Sequence, residues 1–387
     1  MTSKNHSAVD TRIDQEFDTR MMARALQLAR KAQYWAKPNP HVGCVLVKDG
    51  HVIGEGFTQP AGGNHAEVEA LQAARDDPAG ATAYVTLEPC SHQGKTGPCA
   101  DALVSAGVAR VVVAMQDPNP EVAGKGVARL LASGIEVTQD VLAAEAAAVI
   151  PGFIARMTRG RGRVRAKLAM SLDGRTSMAS GESQWITGAA ARADVQRLRA
   201  RSCVVVTGIG TVLADDCALT LRADELGLSD DECRRAIARP PVRVVLDSKL
   251  SLPADARVLS AGAESLVFHS NATLPAEGLA ASGASFCGVT AGESGLLLAE
   301  VIDELSKRQA NEILVESGPR LAGALLQAGL LDELIIYAAP VLMGSSAQPL
   351  LDLPIDTMAG KINLEVADVR RVGRDWRLTV IPGNASG

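Results

Sequence analysis

Aromatic side chains make up only 3% of the 387 residues, and no long basic run offsets a formal charge of −5. Few stacking platforms and little phosphate-binding charge disfavour nucleic acid as a partner, and RNA editing with it. No apolar stretch approaches the roughly 20 residues that span a bilayer, so no membrane partner is expected. The first residues, Met1 to about Gln15, are polar and lack the apolar segment of a signal peptide. Residues 1–16 therefore read as a disordered tail, and a cytoplasmic location is expected. The seven cysteines are odd in number and scattered, which argues against a disulfide framework and makes clustered Cys and His candidate metal ligands. The one strongly basic stretch, Arg156 to Arg165, reads as a solvated linker.

The chain is too long for one typical core, and its 47% hydrophobic and 21% charged content is that of a globular protein, so two enzyme-sized domains are expected. Helical spacing of Met22, Ala25, Leu26 and Ala29 predicts a helix over 19–36, ended by Pro38-Asn39-Pro40. The apolar runs 42–47 and 51–53 flank Asp49-Gly50, the signature of a tight hairpin. Helices are predicted over 65–75 and 99–106, with strands over 84–87 and 108–115. Around 141–163 the pattern changes to an Ala-rich helix, then Pro151-Gly152, then a Gly/Arg cluster; the domain boundary is placed there, and a second series begins. It has strands at 164–170, 203–207, 242–247, 312–316 and 333–338, with helices at 189–200 and 321–328. Alternating strands and helices favour an α/β layer architecture.

His65-Ala66-Glu67 followed by Pro89-Cys90 and Cys99 combines one imidazole with two thiols. Those three groups would hold Zn2+ and leave its fourth position open for water, with Glu67 beside it to move protons. Zinc deaminases share the order His-x-Glu, Pro-Cys and a further Cys, in which the Glu is not a ligand. Eight residues separate the cysteines here where two are common, and a longer insertion reshapes one wall of the pocket. If His65 and Cys99 each open a helix, the dipole helps keep Cys99 a thiolate. His92 either competes as a ligand, faces substrate, or has a plain surface role.

From about Asp18 to Ile381 the chain resembles the bifunctional riboflavin-biosynthesis deaminase/reductase family. The resemblance rests first on Pro38-Asn39-Pro40-His41-Val42-Gly43-Cys44, His65-Ala66-Glu67, and the run from Thr86-Leu87-Glu88-Pro89-Cys90 to Gly97-Pro98-Cys99. Asp117-Pro118-Asn119-Pro120 with Val122-Ala123-Gly124-Lys125-Gly126 matches as well. In the second half the matching runs are Ser171-Leu172-Asp173-Gly174, Gly181 to Thr187, Gly210 to Asp216, and Glu316-Ser317-Gly318-Pro319. The long insertion between the cysteines is shared with the family. Cys217, which stands where the family usually has proline, and the basic residues 159–163 depart from it.

The resemblance implies a cytidine-deaminase-like αβα domain over 17–145, a linker over 146–163, and a dihydrofolate-reductase-like α/β domain over 164–387. It implies NADPH contacts at Ala169, Trp185, Thr211, Asp215 and Ser248, and substrate contacts at Ser183, Arg199, Leu219, Arg222 and Glu316. Independently, a strand ending in Ser317-Gly318-Pro319 before a helix would present free backbone amides to a phosphate, although a routine strand-to-helix turn reads the same way. The expected cofactor-binding set therefore continues through Gly318, Pro319, Arg320, Leu321, Ala322, Gly323 and Ala324. Thr207-Gly208-Ile209-Gly210 is too little for a Rossmann fingerprint, since Leu213 stands where the next glycine belongs.

The activity this implies is removal of the 2-amino group from a diaminopyrimidinone ribosylamino 5′-phosphate, followed by NADPH-dependent reduction of its ribosyl group to ribityl. Arg199 and Arg222 suit a phosphorylated substrate. Two rival readings remain at this level: a deaminase of another pyrimidine nucleotide fused to a different reductase, and a non-catalytic binding protein stabilised by zinc. Homo-oligomerisation is an expectation carried by the family.

Overall fold

Between Lys4 and Lys31 the chain has neither glycine nor proline, and it folds as one long helix, α1 (Lys4–Lys31). The computed structural model describes residues 4–91, 97–260, 262–293 and 295–383. Residues 4–16, expected as a tail, therefore belong to a helix. Two compact units follow from the packing, Met1–Arg159 and Gly160–Gly387.

In the first unit the elements after α1 are β1 (Gly43–Lys48), β2 (His51–Phe57), α2 (Ala66–Gln72), β3 (Thr82–Val85), α3 (Cys99–Ser105), β4 (Arg110–Val113), α4 (Lys125–Ala132), β5 (Glu136–Thr138), α5 (Ala143–Val149) and α6 (Pro151–Arg159). The sheet order is β2-β1-β3-β4-β5. The β1–β2 and β1–β3 pairs are antiparallel; β3–β4 and β4–β5 are parallel. Asp49 and Gly50 both take positive φ, 50° and 77°, the twist that a two-residue hairpin needs. Alternation along β1 sends Cys44 and Leu46 to a core shared with Ala66, Ala70, Ala100 and Leu103, and Val45 and Val47 to one shared with Met22, Ala25 and Leu26. Helices therefore cover both faces, in three layers. The Ala-rich helix expected before Pro151-Gly152 is α5, and residues 151–159, expected in a linker, form a further helix, α6, whose Phe153 and Ile154 pack against the first of these cores beside buried Ile150.

The second unit continues with β6 (Arg163–Ser171), β7 (Arg175–Ser177), α7 (Ala189–Arg201), β8 (Val204–Gly208), α8 (Ile209–Asp215), α9 (Ala223–Leu226), α10 (Asp230–Ala238), β9 (Val242–Leu246) and β10 (Ser265–Ser270). After these come α11 (Glu277–Ala280), β11 (Ser285–Val289), β12 (Ala291–Gly292), β13 (Gly295–Leu296), α12 (Leu298–Lys307), β14 (Glu312–Glu316), α13 (Pro319–Gln327), β15 (Glu333–Ala339), β16 (Gln348–Pro349), β17 (Leu364–Val372) and β18 (Asp375–Pro382). Nine strands form one sheet in the order β11-β10-β9-β8-β14-β6-β15-β18-β17. It is parallel through β15, while β18 and β17 add antiparallel strands at one edge. Its central strands are buried on both faces, which explains their continuous Val, Ile and Leu runs.

The basic stretch is not a solvated linker. Arg161 makes two bonds to Asp332, of 2.7 and 3.0 Å, Arg163 pairs with Glu333, and Arg165 lies 3.0 Å from Glu312. Strand β6 runs down the middle of the sheet, and its arginines are met by acids at the starts of its two neighbours. Among the described residues no helix is long and apolar enough to cross a membrane.

One buried network ties α7 to the sheet. Asp194 accepts from Tyr337 Oη at 2.6 Å, Arg377 Nη1 at 2.9 Å and Arg197 Nη2 at 3.1 Å. Burial pushes its carboxyl up, but the Tyr337 hydroxyl and the Arg377 and Arg197 guanidinium groups outweigh burial and hold it below the usual range. Such a group stabilises the fold above the ordinary carboxyl range and loses that contribution as pH falls through its lowered value. Asp194→Asn is therefore expected to cost about 3–5 kcal/mol near neutral pH, the usual penalty for breaking a buried pair. Thermal midpoints measured from pH 7 down to pH 3 should show the gap from the unaltered chain closing as the acid side is reached. A gap that stays constant over that range would contradict the network's role.

Candidate active sites

Helix α2 packs on β2 through Gly56, where a Cβ would stand 2.3 Å from the Ala66 carbonyl oxygen. That close approach brings the start of α2 to the sheet. His65 is the residue just before α2 and Glu67 lies in its first turn, while Cys99 opens α3. The loop after β3 delivers Cys90. His65, Cys90 and Cys99 each offer a ligand atom, and these atoms lie within 4.8 Å of one another. His65 Nδ1 is 3.6 Å from Cys90 Sγ and 3.3 Å from Cys99 Sγ. One nitrogen and two sulfurs converging at this range fit a tetrahedral zinc ion with one open position.

Glu67 is 3% exposed. Burial, followed by the charge of Cys90, pushes its carboxyl up to about 7, against the His65 imidazole and hydrogen bonds from its own amide and the Cys99 thiol. A cation in the triangle acts in the opposite direction. The Cys90 thiol is drawn down to about 4, mainly by its hydrogen bond with Cys99, with His65 helping, while Cys99 is held up by the same pairing and by burial. The backbone amide at the start of α3 goes to Cys90, with Cys99 N donating to Cys90 Sγ at 3.3 Å, so the helix end also favours a thiolate at Cys90. His92 lies outside the described residues.

In the second unit a cleft of about 1650 Å³ opens beside the strand ends. Ordinary small-molecule pockets hold roughly 300–1,000 Å³, so this one has room for a dinucleotide and a substrate together. Of the expected cofactor contacts, Ala169, Trp185, Thr211, Asp215 and Ser248 line it, as do Gly318, Pro319, Arg320, Leu321 and Ala324. Ala322 and Gly323 do not. Ala322 is fully buried in the core, and a Cβ on Gly323 would lie 2.3 Å from the Asp352 carbonyl oxygen, so both positions serve packing. Gly318 caps α13 without any side-chain hydrogen bond, with Pro319 in the first turn, which leaves first-turn amides free for a phosphate. Trp185 is 62% exposed, with the Arg192 guanidinium 4.8 Å from its ring centre, a surface suited to stacking. These features fit NADPH.

All five expected substrate contacts, Ser183, Arg199, Leu219, Arg222 and Glu316, line the same cleft. Ser183 Oγ donates to Asp215 Oδ1 at 3.0 Å. Arg199 grips Glu316 with two bonds, Nε to Oε1 at 2.5 Å and Nη2 to Oε2 at 3.0 Å, and gives a third to the Thr220 carbonyl. Burial pushes the Glu316 carboxyl up, but Arg199, Lys167 and Arg222 together hold it below its ordinary value. Arg222 is more open, paired only with Glu225 among its described salt bridges, at 2.8 Å, with 43% of its side chain exposed. Leu219 holds a φ of 51°, a strained conformation for a branched residue.

The sequence reading assigned no role to Lys167. It lines the cleft opposite Glu316 in the β6–β14 register, and burial lowers its ammonium, with Glu316 opposing and Arg199 adding to the effect. A lysine in the middle of a parallel strand, in a sheet of the kind that binds ligands beyond its C-terminal strand ends, was the available signal.

Comparison with known proteins agrees with both sites. The family model "RibD C-terminal domain" matches residues 163–378, and "Cytidine and deoxycytidylate deaminase zinc-binding region" matches residues 15–115. The riboflavin biosynthesis protein RibD of Escherichia coli (strain K12) is 47% identical over 94% of this chain and 99% of its own length. RibD of Haemophilus influenzae is 46% identical over 94% and 97%. A solved structure of Acinetobacter baumannii RibD superposes with a TM-score of 0.88 at 45% identity, covering 96% of this chain and all of that one. A deaminase/reductase structure from Thermotoga maritima gives 0.83 at 32% identity, with the same coverage. Similarity of this extent in both sequence and structure means that the chain belongs to the RibD family of riboflavin biosynthesis proteins, enzymes that join a zinc-binding deaminase unit to a reductase unit.

Proposed function

We propose that His65, Cys90 and Cys99 hold zinc, that Glu67 is the proton carrier of the deamination, and that the cleft of the second unit reduces the deaminated product. The substrates proposed are those in the description of the Thermotoga relative, a diaminohydroxyphosphoribosylaminopyrimidine for the deaminase and a 5-amino-6-(5-phosphoribosylamino)uracil for the reductase. The observation that supports the reading most directly is the convergence of one imidazole and two thiols beside a buried carboxyl. A cytoplasmic location and a homo-oligomeric state belong to the same proposal and rest on the family.

Zinc supplies electrophilic activation of a water when bound. Glu67, buried beside the proposed ligands, would accept a proton from water activated in this way and return protons to the ring nitrogen and the departing amine. In the second unit NADPH supplies the hydride when bound, and the protein's part is to orient the opened sugar. Glu316 is fixed for this by Arg199, which spends three of its donors on Glu316 and Thr220. Arg222, less committed, takes the phosphate. The cofactor contacts are the expected set without Ala322 and Gly323.

One time course tests the whole reading: zinc-loaded enzyme with the diaminopyrimidinone ribotide and NADPH, following ammonia and NADPH together. Ammonia should lead and the two should approach one-to-one. Chelation of zinc should stop ammonia release while leaving reduction of supplied deaminated product intact. Ammonia without NADPH oxidation would remove the reductase assignment.

Glu67→Gln should lower the deaminase rate by roughly 10²–10⁴, with zinc content and reductase rate unchanged; a full deaminase rate would sink the role given to Glu67. Arg199→Met removes the partner of a buried carboxylate, an effect of about 3–5 kcal/mol where the pair is fully desolvated. Because Arg199 opposes the upward push of burial on Glu316, the acid limb of the reductase kcat/KM profile should move to higher pH in this variant. An unmoved limb would mean that Glu316 does not titrate in that step.

A further inference from the structure

Glu88 is 3% exposed and lies two residues before Cys90. Among the described residues it pairs with no arginine or lysine in a salt bridge. Its two oxygens instead accept four backbone N–H groups, all from a segment 29 to 39 residues farther along. Oε2 accepts from Asp117 at 3.2 Å and Gly124 at 2.9 Å. Oε1 accepts from Gly126 at 2.9 Å and Val127 at 3.1 Å, in the first turn of α4. A carboxylate only accepts, and four donors approach its full capacity. The helix end adds its partial positive charge.

The same segment presses on the ligand loop directly. A Cβ on Gly126 would lie 1.9 Å from the Pro89 carbonyl oxygen, so the backbone of α4 rests against the peptide that joins Pro89 to Cys90. On the other side, Ala100 N donates to the Cys90 carbonyl at 3.1 Å and Cys99 N to Cys90 Sγ at 3.3 Å. Cys90 is therefore held between α3 and a clamp formed by Glu88 and the start of α4. His65 comes from a different helix and Cys99 from another again. The position of Cys90 relative to both is set by this clamp.

We propose that Glu88 is a positioning residue of the metal centre: by collecting the Asp117, Gly124, Gly126 and Val127 amides it fixes where Cys90 stands relative to His65 and Cys99. This rests on the reading of those three residues as zinc ligands. Zinc bound per unaltered chain tests that reading by itself, since an unaltered chain without zinc removes the ligand set whatever Glu88 does.

The experiment uses full-length Glu88→Gln and Glu88→Asp, each loaded with zinc or with cobalt. Glutamine keeps one acceptor oxygen and turns an NH2 group toward two backbone donors; aspartate keeps the acceptors but is shorter. The readouts are the rate of zinc loss to a chromogenic chelator, the thiolate-to-cobalt absorption band, the melting transition of the first unit, and reductase turnover as a control. Glu88→Gln should lose zinc roughly 10–100-fold faster, the usual consequence of removing a group that orients a ligand. Its cobalt band should shift, Glu88→Asp should fall between, and reductase turnover should stay the same. The proposal is overturned if a variant that keeps the first unit's transition loses zinc at the unaltered rate with an unaltered cobalt band. It is equally overturned if neither variant keeps that transition, because Glu88 is then a requirement of the fold as a whole.

Discussion

A carboxylate withdrawn from water has to be met by donors or give up its charge. Glu67, Glu88, Asp194 and Glu316 are each less than a tenth exposed, and the ways they answer that demand separate their roles. Glu88 is satisfied by four backbone amides, Asp194 by a phenol and two guanidinium groups, and Glu316 by Arg199 with Lys167 near. For Glu67 burial and the charge of Cys90 outweigh the His65 imidazole, its own amide and the Cys99 thiol, and its carboxyl is driven toward neutrality in the metal-free site. A carboxyl that is fully met holds structure in place. One left short of donors suits the proton exchange proposed for Glu67.

The metal centre was legible in the sequence because its chemistry sits in side chains at short, ordered spacing: His65 and Glu67 in one turn, Cys90 and Cys99 across one insertion. The clamp behind it was not. Glu88 was visible in the same motif, but its partners are peptide amides of Asp117, Gly124, Gly126 and Val127, and backbone groups leave no signature in residue identity. In the second unit every expected substrate contact lines the cleft, and so does the run from Gly318 to Ala324 except for Ala322 and Gly323. A helix turns its residues through all directions, so Ala322 and Gly323 face the core while their neighbours face the cleft.

The fold shows the same division. Periodic elements with buried faces, such as β1 and the strands β8, β9, β14 and β15, match the predicted segments closely. The errors lie where composition and partnership disagree. Arg161, Arg163 and Arg165 look like a solvated stretch when counted, but each finds an acid on a neighbouring strand. Residues 146–159 contain the Pro-Gly pair of a linker, but proline is tolerated in the first turn of a helix, and α6 begins there. Strands β17 and β18 drew no expectation at all; β17 is exposed along almost its whole length, so it lacks the half-buried alternation by which strands are recognised.

Within each unit the chemistry gathers beyond the C-terminal ends of parallel strands. Cys90 and Glu88 follow β3, and Asp117 follows β4. In the second sheet Gly208 to Thr211 follow β8, Ser248 follows β9, and Gly318 follows β14, while Lys167 and Ala169 lie toward the end of β6. Strands of like direction bring several loops and helix starts to one edge, and those helix starts expose the amides that the sites use. At the metal centre the amides are spent internally, on Glu88 and on Cys90 Sγ, because a cation needs its thiolates held still. In the cleft the first-turn amides of α13 have no side-chain cap, and in the proposed function they face a cofactor phosphate. One backbone arrangement therefore suits opposite charges: at α4 a protein carboxylate takes the helix-start amides and stands two residues from a proposed metal ligand, while at α13 the proposed function gives the same kind of amides to an anion.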